Sequence, residues 1–182
     1  MRELRIGCWN IHGIFHRIGG FQYNKLNSEY VRNIIEKCHI FCLMETHHID
    51  SQAADIHING FHSFSICTPK HKNKASGGLA VYVKQDIRRG ICKIPRPGTE
   101  SICLKLKKDF FGILNDIYLV YSYCAPGSSS VVQRANLDVY DELGTLLSEF
   151  VNQGDLIVTG DFNARTRGSP DYIIDEDNTH IP

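Results

Sequence analysis

Four short polar segments follow apolar runs of this sequence, and the ends of such strand-like runs are where a rigid scaffold presents reactive groups. The segments are Trp9-Asn10, Glu45-Thr46, Tyr123 before Cys124-Ala125-Pro126, and Gly160-Asp161-Phe162-Asn163. Their carboxylates, amides and phenol can bind a hard cation, orient a water molecule and donate hydrogen bonds to phosphate oxygens. The set therefore predicts Mg²⁺-assisted chemistry on a phosphate.

Asp161 and Asn163 give the strongest signal of the four. Residues two apart in an extended segment point to the same side, so this carboxylate and this amide can address one phosphate or one metal-bound water. Asp161 is predicted to orient or activate the water, and Asn163 to hold phosphate. A capping or Asx-turn role is the structural alternative for both.

Glu45 follows the apolar run Ile40–Met44 and leaves it as a carboxylate. An isolated carboxylate is costly to bury, so Glu45 is either solvated or meets a positive charge. Because Mg²⁺ prefers one or two carboxylates and keeps several waters, Glu45 is the predicted metal ligand. Asn10 and Tyr123 are predicted to donate hydrogen bonds to the reacting phosphate, although Asn10 could form a turn and Tyr123 could be a core aromatic.

Alternating strands and helices must position these residues. Strands are predicted at Leu4–Asn10, His39–Met44, Phe61–Cys67, Leu79–Val83, Ile87–Ile94, Ile102–Lys107, Ile117–Tyr123 and Leu156–Thr159. Amphipathic helices are predicted at Asn24–Lys37 and Arg134–Phe150, and loops at Gly13–Gly20 and from Gly160 onward. This order fits an α/β sandwich whose sheets are covered by helices.

The composition is that of an ordinary globular domain, with 42% hydrophobic residues, 22% charged residues and zero formal net charge. A neutral chain does not hold nucleic acid by bulk charge, although local basic patches remain possible. Seven cysteines without C-x-x-C spacing argue against a zinc site and for free thiols in a reducing compartment. With no apolar run long enough to cross a membrane, we expect an intracellular protein, nuclear or cytoplasmic, with no membrane contact and no obligate protein partner.

The polar segments, in this order, resemble the endonuclease/exonuclease/phosphatase superfamily, which has the fold of DNase I. The matching motifs are Trp9-Asn10, Leu43-Met44-Glu45-Thr46, Ser76-Gly77-Gly78-Leu79-Ala80-Val81, Tyr123-Cys124-Ala125-Pro126 and Gly160-Asp161-Phe162-Asn163-Ala164-Arg165. Each motif alone is weak, whereas five in sequence along the whole chain are strong. The glycine pair, the Tyr-x-x-Pro segment and the Asn-Ala-Arg tail are most similar to retrotransposon-type endonuclease domains.

The resemblance implies a four-layer α/β/β/α sandwich over residues 1–182 that hydrolyses DNA phosphodiesters with Mg²⁺ or Mn²⁺. Glu45 is similar to the family's metal-binding glutamate, and Asn10 to the asparagine near metal and phosphate. Tyr123 matches the active-site tyrosine, and Asp161 and Asn163 match the pair that aligns water and holds phosphate. Arg165 belongs to the same motif and is expected to contact substrate.

Two departures from the family pattern affect this interpretation. His12 occupies a position where abasic endonucleases have aspartate, and we expect it to face the substrate. The family pattern ends in a Ser-Asp-His segment that this sequence lacks, and His180 follows Asn163 too closely to replace it. The expectation is therefore a domain that stops before its last part, with impaired activity.

Three functions remain open at this stage. The first is a DNA endonuclease of the retrotransposon type. The second is a phosphatase or lipid phosphodiesterase of the same fold. The third is a catalytically dead relic that acts at most as a binding fragment.

Overall fold

A computed structural model of the chain describes residues 3–67, 77–95, 100–125 and 139–163. These residues form ten strands and three α-helices. The strands are β1 Ile6–Asn10, β2 Phe15–Ile18, β3 Phe21–Asn24, β4 Ile40–Met44, β5 Phe61–Ile66, β6 Leu79–Lys84, β7 Ile91–Ile94, β8 Ser101–Leu106, β9 Ile117–Tyr123 and β10 Asp155–Asp161. The helices are α1 Glu29–Glu36, α2 Lys108–Phe111 and α3 Val139–Phe150.

Two four-stranded sheets form the centre of the molecule, in the orders β1-β4-β6-β5 and β10-β9-β8-β7. The pairs β1–β4 and β9–β10 are parallel, whereas the other pairs within these sheets are antiparallel. Strands β2 and β3 form a separate antiparallel hairpin. Each large sheet therefore contains one parallel pair whose carboxyl ends lie at the same sheet edge.

The two sheets pack face to face, and strict alternation along the strands decides which side chains lie between them. In β4, Ile40, Cys42 and Met44 join the core between the sheets, whereas Phe41 and Leu43 join the core on the outer face. All five residues of this strand are buried. The continuous apolar run at this position is thus explained by a strand that is covered on both faces, as predicted.

Helices complete the two outer layers. Val31 and Ile35 of α1 pack with the outer face of the first sheet, and Leu146 and Phe150 of α3 pack on the second. The Phe150 ring stacks on Tyr118 of β9 with 4.6 Å between centroids; burying such a side chain contributes roughly 1.5–3 kcal/mol. The architecture is the predicted α/β/β/α sandwich.

The structure corrects several predicted boundaries. The stretch Gly13–Gly20, predicted as a loop, contains β2 and leads into β3. The strand predicted from Ile87 begins only at Ile91, because residues 85–90 form a 3₁₀ helix that buries Ile87. The first helix begins at Glu29, after a separate 3₁₀ turn, and the last strand continues past Thr159 to Asp161. The first five residues of the second predicted helix lie outside the described residues.

The structure shows where the cysteines lie and what character the helices have. All seven cysteines are free thiols, and Cys42, Cys103 and Cys124 are buried in the strand regions as expected, whereas Cys8 is only partly buried. Within the described ranges, no helix combines the length and the apolar character required to cross a membrane.

Candidate active site at the strand ends

The carboxyl ends of the two parallel strand pairs bring the predicted residues together. In the first sheet Asn10 is paired with Met44, directly before Glu45. In the second sheet Asp161 is paired with Tyr123. Neighbouring strand ends of the two facing sheets therefore carry four polar side chains.

Side-chain alternation points these groups into the space between the sheets. Cys8 lies on the inner face of β1, so Asn10, two residues later, has the same orientation. Thr159 and Asp161 are related in the same way on β10. The Cys8 Sγ contacts Thr159 Oγ1 at 3.3 Å, and Asn10 Nδ2 donates to Asp161 Oδ2 at 2.8 Å.

Glu45 is the centre of a dense hydrogen-bond network. Its Oε1 accepts from the Tyr123 hydroxyl at 2.5 Å, and its Oε2 contacts His12 Nδ1 at 3.0 Å. The Asn10 side chain also bonds it, and His47 Nε2 lies 3.8 Å from Oε2. Burial raises the pKa of Glu45, but the hydrogen bonds from Tyr123, His12 and Asn10 outweigh burial and hold the pKa below its ordinary value of 4.5. Glu45 is therefore a carboxylate.

The Tyr123 phenol is correspondingly hard to ionise. Burial is the largest cause, and the bond to Glu45 and its negative charge add to it, so the pKa of Tyr123 lies well above its ordinary value of 10. Tyr123 is consequently a hydrogen-bond donor at neutral pH and cannot act as a base. Tyr123 is also part of the core between the sheets. It is therefore both a core aromatic, which was the alternative interpretation, and a member of the candidate site.

Asp161 and Asn163 form the Asx turn that was the structural alternative for this motif. The Asn163 backbone N–H donates to Asp161 Oδ1 at 3.1 Å, and Asn163 Nδ2 donates to the Cys124 carbonyl at 3.0 Å. Asn10 is similar, since its Oδ1 accepts from the backbone N–H of His12 at 3.0 Å. Turn formation and a position at the site are therefore compatible for both asparagines, and these bonds fix their side chains.

The glycine pair before β6 holds the segment that follows Glu45. The Thr46 N–H donates to the Gly78 carbonyl at 3.1 Å, and the His47 N–H to the Gly77 carbonyl at 3.0 Å. Gly78 has φ +85°, and a Cβ there would lie 2.7 Å from Thr46 Oγ1. Both the backbone conformation and the close approach therefore require glycine at this position.

Four non-glycine residues of the described chain have a left-handed backbone, and all four belong to this site. They are His12, Glu45, His47 and Asn163, with φ between 46° and 51°. Such conformations are uncommon for residues with a Cβ and cluster at functional sites, where the surrounding structure enforces them. Here the hydrogen bonds to the glycine pair and the two Asx turns provide that enforcement.

The donor set suits a hard divalent cation that is shared with water and substrate. No group of three or more His, Cys, Asp or Glu side chains within the described ranges is arranged to hold a metal by itself. The ionised Glu45 and the amide of Asn10 would supply oxygen ligands, and Mg²⁺ typically takes one or two carboxylates and keeps several waters. The residues present thus fit Mg²⁺ or Mn²⁺, and they do not resemble a closed zinc site.

His47 was not among the predicted site residues, although it contacts the same carboxylate as His12. Its adjacency to the Glu45-Thr46 motif was the available signal. The pKa of His47 is lowered, mainly by burial, and the negative charge of Glu45 partly offsets this decrease. The predicted substrate-contacting residue Arg165 lies outside the described residues, as does His180.

Fold and site together define a class: a four-layer α/β/β/α sandwich of the DNase I type with a polar site at the sheet ends. The chain belongs to the Endonuclease/Exonuclease/phosphatase family, which it matches over residues 7–174. Members of this family are phosphodiesterases, nucleases and phosphatases and generally use divalent metal ions.

Solved structures share this fold at low sequence identity. One is an AP endonuclease from Archaeoglobus fulgidus, with TM-score 0.56, 19% identity and coverage of 89% of this chain and 58% of that one. Another is the 3′ phosphatase NExo from Neisseria bound to a product DNA hairpin, with TM-score 0.54, 17% identity and coverage of 88% and 58%. A third is the human Nocturnin catalytic domain with a bound sulfate anion, with TM-score 0.52, 17% identity and coverage of 89% and 65%.

The chain spans 58% of the length of the Neisseria and Archaeoglobus proteins. No curated protein matches its sequence. The structural likeness therefore establishes the fold alone.

Proposed function

We propose that this protein hydrolyses phosphodiester bonds of DNA with Mg²⁺ or Mn²⁺ as cofactor, as an endonuclease of the retrotransposon type. The observation that carries the proposal is the connected network of Asn10, Glu45, Tyr123 and Asp161 at the ends of two facing sheets. This network supplies an ionised metal ligand, a second carboxylate next to it and neutral donors around both. Phosphodiester hydrolysis needs this combination of groups.

Each residue has a distinct part in the proposed reaction. Glu45 and Asn10 would hold the ion, with water and phosphate oxygens as further ligands. The bound ion supplies a Lewis acid that offsets the negative charge developing on the phosphate. Asp161 accepts one hydrogen bond on each oxygen, from Asn10 and Asn163, and each oxygen retains a further acceptor position to orient the attacking water and take its proton.

Hydrogen-bond donors are proposed to meet the incoming substrate. Tyr123 remains protonated and can donate to a phosphate or leaving oxygen. His12 is 86% exposed in its side chain, so it can reach substrate while its Nδ1 contacts Glu45. Arg165 is proposed to add a phosphate contact on the basis of its place in the motif. DNA as substrate is supported by the fold shared with the Neisseria phosphatase and its product DNA hairpin.

The test replaces Glu45 by Gln and follows nicking of supercoiled plasmid with and without divalent ions. The change removes the charge of the ligand and keeps its shape, so we expect a rate lower by roughly 10²–10³, the usual effect of losing one electrostatic contact at a reacting centre. Glu36→Gln, on the exposed end of α1, is the matched control and should nick like the unmodified protein. EDTA should abolish nicking, and added Mn²⁺ should restore it.

Two results would contradict the proposal. Unchanged nicking and Mg²⁺ dependence in Glu45→Gln would show that another group binds the ion. Hydrolysis of phosphoinositides without any nicking of plasmid would show that the substrate is a lipid phosphate.

The sequence also supports an intracellular location, nuclear or cytoplasmic, which imaging of a tagged chain tests directly.

A further inference from the structure

The hairpin β2–β3 carries an unusual outer surface. Its turn is Gly19-Gly20, and both residues have positive φ, at 57° and 87°. This is the type I′ geometry that matches the twist of two antiparallel strands. The strands pair Ile18 with Phe21, next to the turn, and His16 with Tyr23 two residues further along each strand.

Directly opposed residues of an antiparallel pair share one face of the hairpin. One face therefore carries Phe15, Arg17, Gln22 and Asn24, and Phe15 packs against the core of the first sheet. The other, which we call the apolar hairpin face, consists of His16, Ile18, Phe21 and Tyr23. Ile18 is 65% exposed, Phe21 82% and Tyr23 44%. Adjacent apolar side chains exposed to this degree indicate a contact surface.

The base of the hairpin is hydrogen-bonded to the active-site segment. The Gly13 N–H donates to the Glu45 carbonyl at 2.6 Å, and the Ile14 N–H to the Thr46 carbonyl at 2.9 Å. Lys25, directly after β3, donates through Nζ to the carbonyls of Ile11 and His12. Four strand residues extend about 13 Å, so a polymer whose phosphate is bound at Glu45 has its neighbouring units within reach of the apolar hairpin face.

The charge of this region selects among possible partners. Residues 4–28 contain Arg5, Arg17 and Lys25 and no acidic residue, in a chain that has 20 acidic residues in 182. Arg5 is paired with Glu3, Arg17 lies on the opposite face of the hairpin, and Lys25 donates to backbone carbonyls, so the apolar hairpin face carries exposed aromatic rings and no acidic side chain. Such a face suits single-stranded or opened nucleic acid, because bases stack on aromatic side chains.

We propose that the apolar hairpin face stacks against unpaired bases of the DNA strand whose phosphate is bound at Glu45. Phe21 is the principal stacking residue, because it is the most exposed aromatic of the hairpin and lies beside its turn. This inference rests on the proposed function and adds the part of the substrate that the chain recognises. Because every base has a π-face, such a contact favours opened or flexible DNA over a particular sequence.

The first test compares Phe21→Ala with Gln22→Ala, the neighbouring exposed residue on the opposite face. The measured quantity is the ratio of kcat/KM for an oligonucleotide with an unpaired segment to kcat/KM for bis(p-nitrophenyl) phosphate, which is too small to reach the hairpin. Loss of one stacked base weakens binding about five- to a hundredfold. We expect the ratio to fall by that factor in Phe21→Ala and to stay at the unmodified value in Gln22→Ala. Equal ratios in both variants would overturn the inference and leave the proposed function intact.

The second test detects stacking without any hydrolysis. The only native tryptophan is Trp9, so Phe21→Trp introduces a second fluorophore on the hairpin. Leu114→Trp is the matched control, because Leu114 is 87% exposed and precedes the start of β9, at the other end of that strand from Tyr123. We expect single-stranded DNA, in the presence of EDTA, to quench the fluorescence of Phe21→Trp and not that of Leu114→Trp. If DNA quenches Phe21→Trp selectively but the unmodified protein does not nick plasmid, the hairpin contact is supported and the proposed hydrolysis is not. Equal quenching of Phe21→Trp and Leu114→Trp, or none in either, would refute the hairpin contact.

Discussion

Replacing Gly78 by Ala should damage the active site through a single added methyl group. Gly78 has φ +85°, and its Cβ would lie 2.7 Å from Thr46 Oγ1 and 3.3 Å from the Ile66 carbonyl oxygen. A left-handed conformation costs a residue with a Cβ roughly 1–2 kcal/mol. Forcing an extra carbon into this packed position adds roughly 1–3 kcal/mol. The expected loss of unfolding free energy is the sum, about 2–5 kcal/mol.

Gly60→Ala separates these two contributions. Gly60 has nearly the same φ, +82°, but an added Cβ meets no atom within 4 Å. This variant should lose only the conformational part, roughly 1–2 kcal/mol, as measured by urea unfolding at constant pH. The difference between the two variants then isolates the contact with Thr46.

Activity should separate the two variants further. The Gly78 carbonyl accepts a hydrogen bond from the Thr46 N–H at 3.1 Å, so displacement of Gly78 would also move Thr46, the residue after Glu45. Nicking should therefore fall more than tenfold in folded Gly78→Ala protein but not in Gly60→Ala. The double variant Gly78→Ala, Thr46→Ala removes the contacting oxygen, and should therefore be less destabilised than the sum of its single changes. Equal losses of stability in Gly78→Ala and Gly60→Ala, or full additivity in the double variant, would refute this account of the Gly78 position.

Two further predictions concern the carboxylates. Asp161→Asn keeps the side-chain shape but removes the proposed proton acceptor, so kcat for nicking should fall by roughly 10²–10⁴ with KM little changed; a change confined to KM would assign Asp161 to binding. The folded-state pKa of Glu45 is below its ordinary value of 4.5, so its ionisation stabilises the fold at pH values above 4.5, and this contribution is lost as the pH falls through the lowered pKa. The unfolding free energy of the unmodified protein should therefore decline more steeply than that of Glu45→Gln between about pH 5 and 3, and parallel curves in urea titrations would contradict the proposed network.

Much of the site was predictable because strand alternation is a local property of the sequence. The inner-face positions Cys8 and Thr159 are two residues before Asn10 and Asp161, so the orientation of both polar residues follows from the pattern. Burial of β4 on both faces followed from its unbroken apolar run. The family motifs then indicated that these strand ends meet, which alternation in one strand cannot reveal.

Other features were decided by contacts between distant residues. The 3₁₀ helix at residues 85–90 buries Ile87, and one buried isoleucine is compatible with either a strand or a tight helix. The hairpin β2–β3 has an exposed apolar face, which contradicts the usual rule that apolar residues identify the buried face; only the Gly19-Gly20 dipeptide indicated it. The contact of His47 with Glu45 depends on a left-handed backbone that residue composition does not encode.

The arrangement of charge at the site provides a physical reason for the strained backbone around it. Asn10 bonds both Glu45 and Asp161, so two acidic side chains are held near one amide. A divalent cation would be held beside both side chains only while Glu45 keeps this orientation, whereas a relaxed loop would let Glu45 turn toward solvent. The left-handed conformations of Glu45 and His47, fixed by hydrogen bonds to the Gly77–Gly78 backbone, prevent that movement. Because metal and substrate would bind only this folded arrangement, we expect their binding to stabilise the fold.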